Sequence, residues 1–158
     1  VKYREAIRPL APMATLEAAQ QYFVLEDGAA DAGYNAYNYM VITAHAKPGA
    51  REKIPAVIHA DGTGSIQIVG PDEDPLTYAY LKALGRRIGV EMSVNTSFNV
   101  AGPIAQTPQQ AIDTLRRSKG LDAVILVAAD GGVYAAWHGG GRDSGRFKGW
   151  LNEWQARR

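Results

Sequence analysis

The chain has 158 residues, a formal net charge of +1, 46% hydrophobic and 21% charged residues, and no cysteine. A chain of this length buries about 68–70% of the surface it exposes when unfolded, so it needs no staples, and the absence of cysteine excludes disulfides, thiolate nucleophiles and cysteine-based zinc sites. Near-neutral charge gives no electrostatic reason to expect a nucleic-acid or membrane partner, no apolar run is long enough to cross a bilayer, and the composition points to a cytoplasmic protein.

The N-terminal Val1-Lys2-Tyr3-Arg4-Glu5 lacks the apolar core of a signal peptide. A chain that opens on Val and at once carries dense polar chemistry is expected to be a piece of something longer. On a strand, Lys2 and Arg4 would share a face and, with Arg8 close behind, offer paired cations that suit phosphate oxygens. The alternative is an edge strand with solvated charges. After a small-residue loop over 27–35, the segment 38–46, with Tyr39, Met40, Val41 and Ile42, reads as a strand ended by Lys47-Pro48-Gly49.

The runs 54–59 and 65–69 flank Asp61-Gly62-Thr63-Gly64, which has the turn chemistry of a hairpin, so two adjacent antiparallel strands are expected. His59 and Asp61 would share a face beside that turn, either as a structural pair or as part of a site. No nucleophile-elbow motif accompanies them, which argues against a hydrolytic triad. His45, His59 and His138 are scattered and offer no metal-ligand spacing, so no metal site is expected from this chain alone.

From the capping pair Asp74-Pro75, the residues Leu76, Tyr80, Leu84 and Ile88 recur at helical spacing until Gly89 stops the helix. A strand over 90–94 then empties into Asn95-Thr96-Ser97-Phe98-Asn99, too polar to be core and placed where α/β proteins hold ligands. Such amides and hydroxyls bind a planar amide or a phosphate without competing for a proton, though they also serve to cap turns.

A second helix has Thr107 as N-cap, Pro108 at its first position, Gln110 closing a capping box, and Ala111, Ile112 and Leu115 on one face. A strand over 123–128, a turn at Asp130-Gly131-Gly132 and a strand over 133–137 follow, so the order mixes hairpins with crossover helices. A mixed α/β sheet with helices on its faces is expected. The glycine tract 139–145 has a Walker-like spacing, but Arg146 and Phe147 stand where Lys and Ser or Thr belong, so it reads as a connector. Beyond it Phe147, Trp150, Leu151 and Trp154 fall on one helical face expected to dock on the core.

Several of these pieces occur together in a known family. Val1-Lys2-Tyr3-Arg4-Glu5 with Arg8-Pro9-Leu10-Ala11-Pro12, the stretch 54–63, Asn95 through Asn99, and Gly120-Leu121-Asp122-Ala123 stand in the order and spacing of the C-terminal domain of the NodU-type O-carbamoyltransferases, which the chain resembles over about residues 1–127. The resemblance implies a YrdC-like fold, a twisted mixed β-sheet with helices packed on its faces, over 1–138, with 139–158 a connector and amphipathic helix.

It also implies that carbamoyl phosphate and ATP, with Mg²⁺, give carbamoyl-adenylate. A partner, the N-terminal actin-like ATPase domain that binds iron, would then pass the carbamoyl group to a hydroxyl acceptor. The Lys-any-Arg and Ser-any-Asn pairs that mark the nucleotide site of YrdC-like proteins match Lys2 with Arg4 and Ser97 with Asn99. Lys2 and Arg4 are thereby the expected catalytic residues. Arg8, His59, Asp61, Thr63, Asn95, Thr96, Ser97 and Asn99 are the expected binding residues, and the ends of this polar set are expected to share one cavity.

The chain departs from the family at Ser65, where an Arg is usual, and at Gly102-Pro103, where a Glu usually intervenes. Arg8, Arg51 and Lys53 are the cations available to replace the first. Two other readings stand beside the first: a threonylcarbamoyl-adenylate synthase-like enzyme, and a non-catalytic nucleotide-binding or scaffold module.

Overall fold

A computed structural model of the protein describes residues 10–29, 35–100 and 102–138. It divides into two compact units, the chain passing from one to the other after Thr96. In chain order the larger unit holds β1 (Ala11–Ala14), α1 (Leu16–Tyr22), β2 (Phe23–Val24), a 3-10 turn (Ala36–Tyr39), β3 (Ala44–Ala46), α2 (Ala50–Lys53), a second 3-10 turn (Pro55–Val57), β4 (Thr63–Gly64), β5 (Gln67–Ile68), α3 (Pro75–Ile88) and β6 (Met92–Asn95).

Two small sheets organise this unit. β1 lies between β5, to which it is parallel, and β6, to which it is antiparallel; β2, β3 and β4 form an antiparallel trio. The register Ala11↔Asn95 puts the start of β1 and the end of β6 at one edge of the first sheet. Apolar side chains of both sheets and α1 close a single core in which Phe23 and Ile66 are fully buried.

Thr15 ties three elements together. Its Oγ1 accepts the Ala18 N–H at 3.3 Å, capping α1, while its own hydroxyl donates to Glu91 Oε2 at 2.8 Å. Lys82, from α3, donates to the same carboxylate at 2.7 and 2.8 Å. Gly85 belongs to this arrangement, since a Cβ there would lie 2.2 Å from Glu91 Cγ.

The Lys82 ammonium, foremost, holds the Glu91 carboxyl below its usual value against the opposing effect of burial, with the Thr15 hydroxyl adding a lesser push the same way as Lys82. The same hydrogen bond raises Lys82. A depressed carboxyl stabilises the fold above its unfolded pKa and loses that contribution as pH falls through the folded one; a raised amine does the mirror at high pH. Glu91→Gln is therefore expected to flatten the acid limb of a thermal-stability profile below about pH 4.5, the reference value for glutamate, without changing its shape at neutral pH. An unchanged acid limb would show that other carboxylates govern acid unfolding.

Several sequence expectations need correction. The segment 38–46 is a strand only over Ala44–Ala46, because the Asn35 side chain caps Tyr37 N at 2.9 Å and starts a 3-10 turn that Met40 ends at a φ of 56°. The stretch 54–59 is likewise a 3-10 turn after α2, not a strand, since Pro55 has no N–H for a ladder and supplies the φ such a turn needs. The expected hairpin across 61–64 is replaced by non-local pairing, β4 with β3 and β5 with β1.

The helix from Pro75 to Ile88 forms with the expected ends, Asp74 Oδ1 accepting Thr77 N–H at 3.0 Å and Gly89 taking a φ of 80°. Of the residues at helical spacing, Leu76, Tyr80 and Ile88 are 42%, 45% and 60% exposed and Leu84 is half-buried, while Leu81 is the buried residue.

The smaller unit holds α4 (Pro108–Arg117), β7 (Ala123–Val127) and β8 (Val133–Trp137). Thr107 and Gln110 form the expected capping box, and β7 and β8 the expected hairpin, from Ala123↔Trp137 to Val127↔Val133. Ala111, Leu115 and Val124 make a small core with Phe98 and Leu121 against it. The fold is α/β, built from several short sheets where one mixed sheet was expected. Residues 139–158, with the expected connector and helix, lie outside the described residues.

Candidate functional site

In the larger unit the expected site residues His59, Asp61 and Thr63 are brought together by a tight reversal. His59 N–H donates to Thr63 O at 2.8 Å and Gly62 N–H to His59 O at 3.0 Å, with Gly62 at a φ of +85° that side chains other than glycine's rarely adopt. Asp61 Oδ1 accepts both the Thr63 N–H, at 2.9 Å, and the Thr63 hydroxyl, at 2.8 Å. These two bonds, the backbone one foremost, hold the Asp61 carboxyl below its usual range, so it is an ionised acceptor at neutral pH.

Thr63 Oγ1 also lies 3.0 Å from His59 Nδ1. Its one proton is already directed at Asp61, so it meets the imidazole with lone pairs, and Nδ1 must carry the hydrogen. In the neutral ring Nε2 is then a bare acceptor. Among the described residues it is a buried polar atom without a partner; leaving such an atom unpaired costs about 1–3 kcal/mol.

Arg51, from α2, donates Nη2 to His59 O at 2.8 Å and so stands beside this reversal. On the other flank His45 is the ladder partner of Thr63, which puts both side chains on one face. Beneath, β4 rests on the Phe23 ring: a Cβ on Gly64 would lie 2.7 and 3.0 Å from ring carbons and 3.1 Å from Val57 O. Gly64→Ala is expected to cost about 1–3 kcal/mol in a urea titration through this overlap, and an unchanged midpoint would mean that the ring moves aside freely.

Asn95 ends β6, and its Nδ2 donates to Gln67 Oε1 at 2.5 Å across β1. Thr96 follows, exposed. In the smaller unit Ser97 Oγ donates to Asn99 Oδ1 at 2.8 Å and Asn99 Nδ2 to Gly102 O at 2.6 Å. Gly102 has a φ of 94°, and Ala105 N–H donates to Phe98 O at 3.0 Å. The Ser-any-Asn pair thus shapes its own turn as well as presenting polar groups at the surface. Lys2, Arg4 and Arg8 lie outside the described residues, and with them the shared cavity expected for Lys2 and Ser97.

A depression of about 490 Å³ lined by residues such as Phe23, Leu25, Glu26 and Lys47, and one of about 250 Å³ lined by residues such as Ile54, Ile88, Met92 and Val94, contain none of the expected site residues. Of the polar groups above, Asp61, Thr96 and Ser97 are exposed and His59, Thr63, Asn95 and Asn99 half-buried. Among the described residues no three His, Asp or Glu side chains are placed to hold a metal ion, and no helix is long and apolar enough to cross a membrane.

Reading the sequence missed Gln67 and His45 as neighbours of these groups, and named Arg51 only as a cation available in place of the Arg absent at Ser65, not as a partner of His59 O. None carries a local signal, because each reaches the site through a sheet pairing or a neighbouring turn. The role of Thr63 as the link between His59 and Asp61 is equally a matter of geometry.

Comparison with known proteins finds a match to the family described as "Carbamoyltransferase C-terminus" over residues 1–129. Nodulation protein NolO of Bradyrhizobium diazoefficiens is 36% identical over 127 residues, 80% of this chain and 22% of its own length. Nodulation protein NolNO of Sinorhizobium fredii is 31% identical over 127 residues, 80% and 18%, and nodulation protein U of Rhizobium tropici is 30% identical over 102 residues, 65% and 16%. The chain thus spans about a fifth of the length of these relatives.

Proposed function

The chain belongs to the carbamoyltransferase C-terminal family, and from that premise we propose that it carries out the activating half of a carbamoyl transfer, making carbamoyl-adenylate from carbamoyl phosphate and Mg-ATP. Carbamoyl phosphate gives up its phosphoryl group to water, leaving carbamate and inorganic phosphate. A carbamate oxygen then forms a bond to the α-phosphorus of ATP while the bond to the β-phosphate oxygen breaks, and pyrophosphate leaves with the electron pair. On a partner domain, for which the greater length of the relatives leaves room, an acceptor hydroxyl oxygen, losing its proton, then bonds the carbamoyl carbon while the bond from that carbon to the AMP oxygen breaks and AMP leaves.

Charge builds on the α-phosphate oxygens in that step, and fixed cations stabilise it where it develops. Lys2 and Arg4 take that role, with Arg8 beside them. Ser97, Asn99, Asn95 and Thr96 offer hydroxyls and amides to the phosphate and the carbamoyl amide, while His59, Asp61 and Thr63 shape the carbamoyl end. Arg51, anchored on His59 O, is a cation available to replace the one lost at Ser65. A single carboxylate at the reversal, with no acidic cluster among the described residues, suits a Mg²⁺ that arrives on the nucleotide phosphates and not a resident ion.

The observation that carries this reading is the family match, which spans both polar motifs in one register.

The test is incubation of the purified chain with Mg-ATP and carbamoyl phosphate, following pyrophosphate and looking for carbamoyl-adenylate. Carbamoyl-phosphate-dependent pyrophosphate release is expected. Nucleotide binding without pyrophosphate would instead mark a binding module, and dependence on bicarbonate and threonine a threonylcarbamoyl-adenylate synthase.

A further inference from the structure

We propose that the outer face of α3 is a self-association surface, on which a second copy of this chain packs its own α3 antiparallel about a twofold axis between Ala79 and Tyr80. The inference goes beyond the carbamoyl reading and is independent of it, since none of the expected site residues lies on this helix.

The inner face of α3 is already engaged within the chain. Leu81 is buried, Lys82 pairs with Glu91, and Gly85 lies against the Glu91 side chain. The outer face is apolar and open. Leu76, Ala79, Tyr80 and Ala83 stand at i, i+3, i+4 and i+7, the spacing of one helical stripe, and each is exposed. No charge interrupts them, because Lys82, the sole charged residue between Pro75 and Gly85, is held by Glu91. A surface helix normally turns its polar side to water, so a contiguous apolar stripe on the outward side marks a place that another body covers.

The charges at the two ends say which body. Asp72, Glu73 and Asp74 precede the helix and Arg86 and Arg87 close it, all of them exposed. An apolar stripe with an acidic start and a basic end is complementary to itself when turned end for end, which is what a twofold interface requires. With the axis between Ala79 and Tyr80, Ala79 faces Tyr80 of the second copy and Leu76 faces Ala83. At the ends Asp72 then faces Arg87 and Glu73 faces Arg86. A large residue meets a small one in both apolar pairs, so side chains of one helix enter the gaps of the other. A single helix pair buries less than the roughly 1,600 Å² of a standard interface, so the dimer is a weak one.

Sedimentation equilibrium of the whole chain over a concentration series tests this. A reversible monomer-to-dimer equilibrium is expected, with a dissociation constant of about 1–500 µM. Ala83→Glu, at an exposed helical position outside the packing of the monomer, should raise that constant at least about tenfold, since it sets a charge against Leu76 without a partner, while circular dichroism shows the helix retained. Asp72→Lys and Arg87→Glu should each raise it about three- to tenfold, because each spoils both symmetric pairs. The chain carrying both changes should return to the wild-type value, its ends being complementary again. As the chain has no cysteine, Ala79→Cys supplies one thiol beside the axis, and mild oxidation should link two copies through it. Gln109→Cys, on an exposed position of α4, should not link.

A chain that stays monomeric up to about 1 mM, or a dimer that Ala83→Glu leaves intact, overturns the proposal. So does a doubly exchanged chain that associates no better than either single variant, or equal cross-linking of the two cysteine variants. Each of these results leaves the pyrophosphate test of carbamoyl activation untouched.

Discussion

Phe23→Ala is expected to lower the stability of the larger unit by about 3–5 kcal/mol, against the 5–15 kcal/mol that holds an ordinary domain together. The ring is wholly buried, sits at the junction where α1 runs into β2, and supports Gly64 of β4 so closely that no Cβ fits between them. Neither neighbour can fill the space the ring would vacate: Gly64 has no side chain, and Ala46, opposite Phe23 in the ladder, has one carbon. A cavity of that kind keeps most of its cost because the surroundings collapse only partly.

Chemical denaturation followed by circular dichroism reads the loss directly, and a change below about 1 kcal/mol would mean that the ring is not the keystone of this core. A second consequence distinguishes this side chain from other core residues. β4 carries Thr63, so loosening the ring loosens the link between His59 and Asp61. Carbamoyl-dependent turnover of Phe23→Ala should therefore fall even at temperatures where the chain remains folded.

Lys2→Ala and Arg4→Ala are each expected to cost about 2.7–4 kcal/mol in the barrier to adenylate formation, roughly 10²–10³ in rate. The expectation follows from the chemistry assigned to them: negative charge grows on the α-phosphate oxygens only as the new bond forms, so a cation aimed at it acts on the transition state more than on bound ATP. The loss should fall on kcat, with KM for ATP changed little. Arg4→Lys should recover only part of the rate, because a lysine restores the charge but not the two-pronged guanidinium. Equal losses in nucleotide affinity and in kcat/KM, with kcat intact, would make Lys2 and Arg4 ground-state phosphate ligands and remove them from the reacting centre.

What the amino-acid order determined by itself is whatever acts over a few residues. Thr107, Pro108 and Gln110 dictated a helix start, because a capping box is closed within one turn. Asp74-Pro75 and Gly89 set both ends of α3 in the same way, and Asp130-Gly131-Gly132 turned β7 into β8. The spaced polar motifs were legible too, and they carry the resemblance to the family.

Tertiary structure alone decided the rest. β1 pairs with residues 67–68 and 92–95, far from it along the chain, and no short-range pattern records which partner a strand of four residues will choose. The spacing of Leu76, Tyr80, Leu84 and Ile88 marked α3 as a helix, but which residue is covered came from its neighbours: Leu81 is buried while Leu76, Tyr80 and Ile88 are exposed, since helical spacing defines a face without saying what covers it. The same holds for His59, Thr63 and Asp61. Their spacing suggested proximity, but the direction of one hydroxyl proton, and with it the free nitrogen of the imidazole, exists only once the backbone between them has closed on itself.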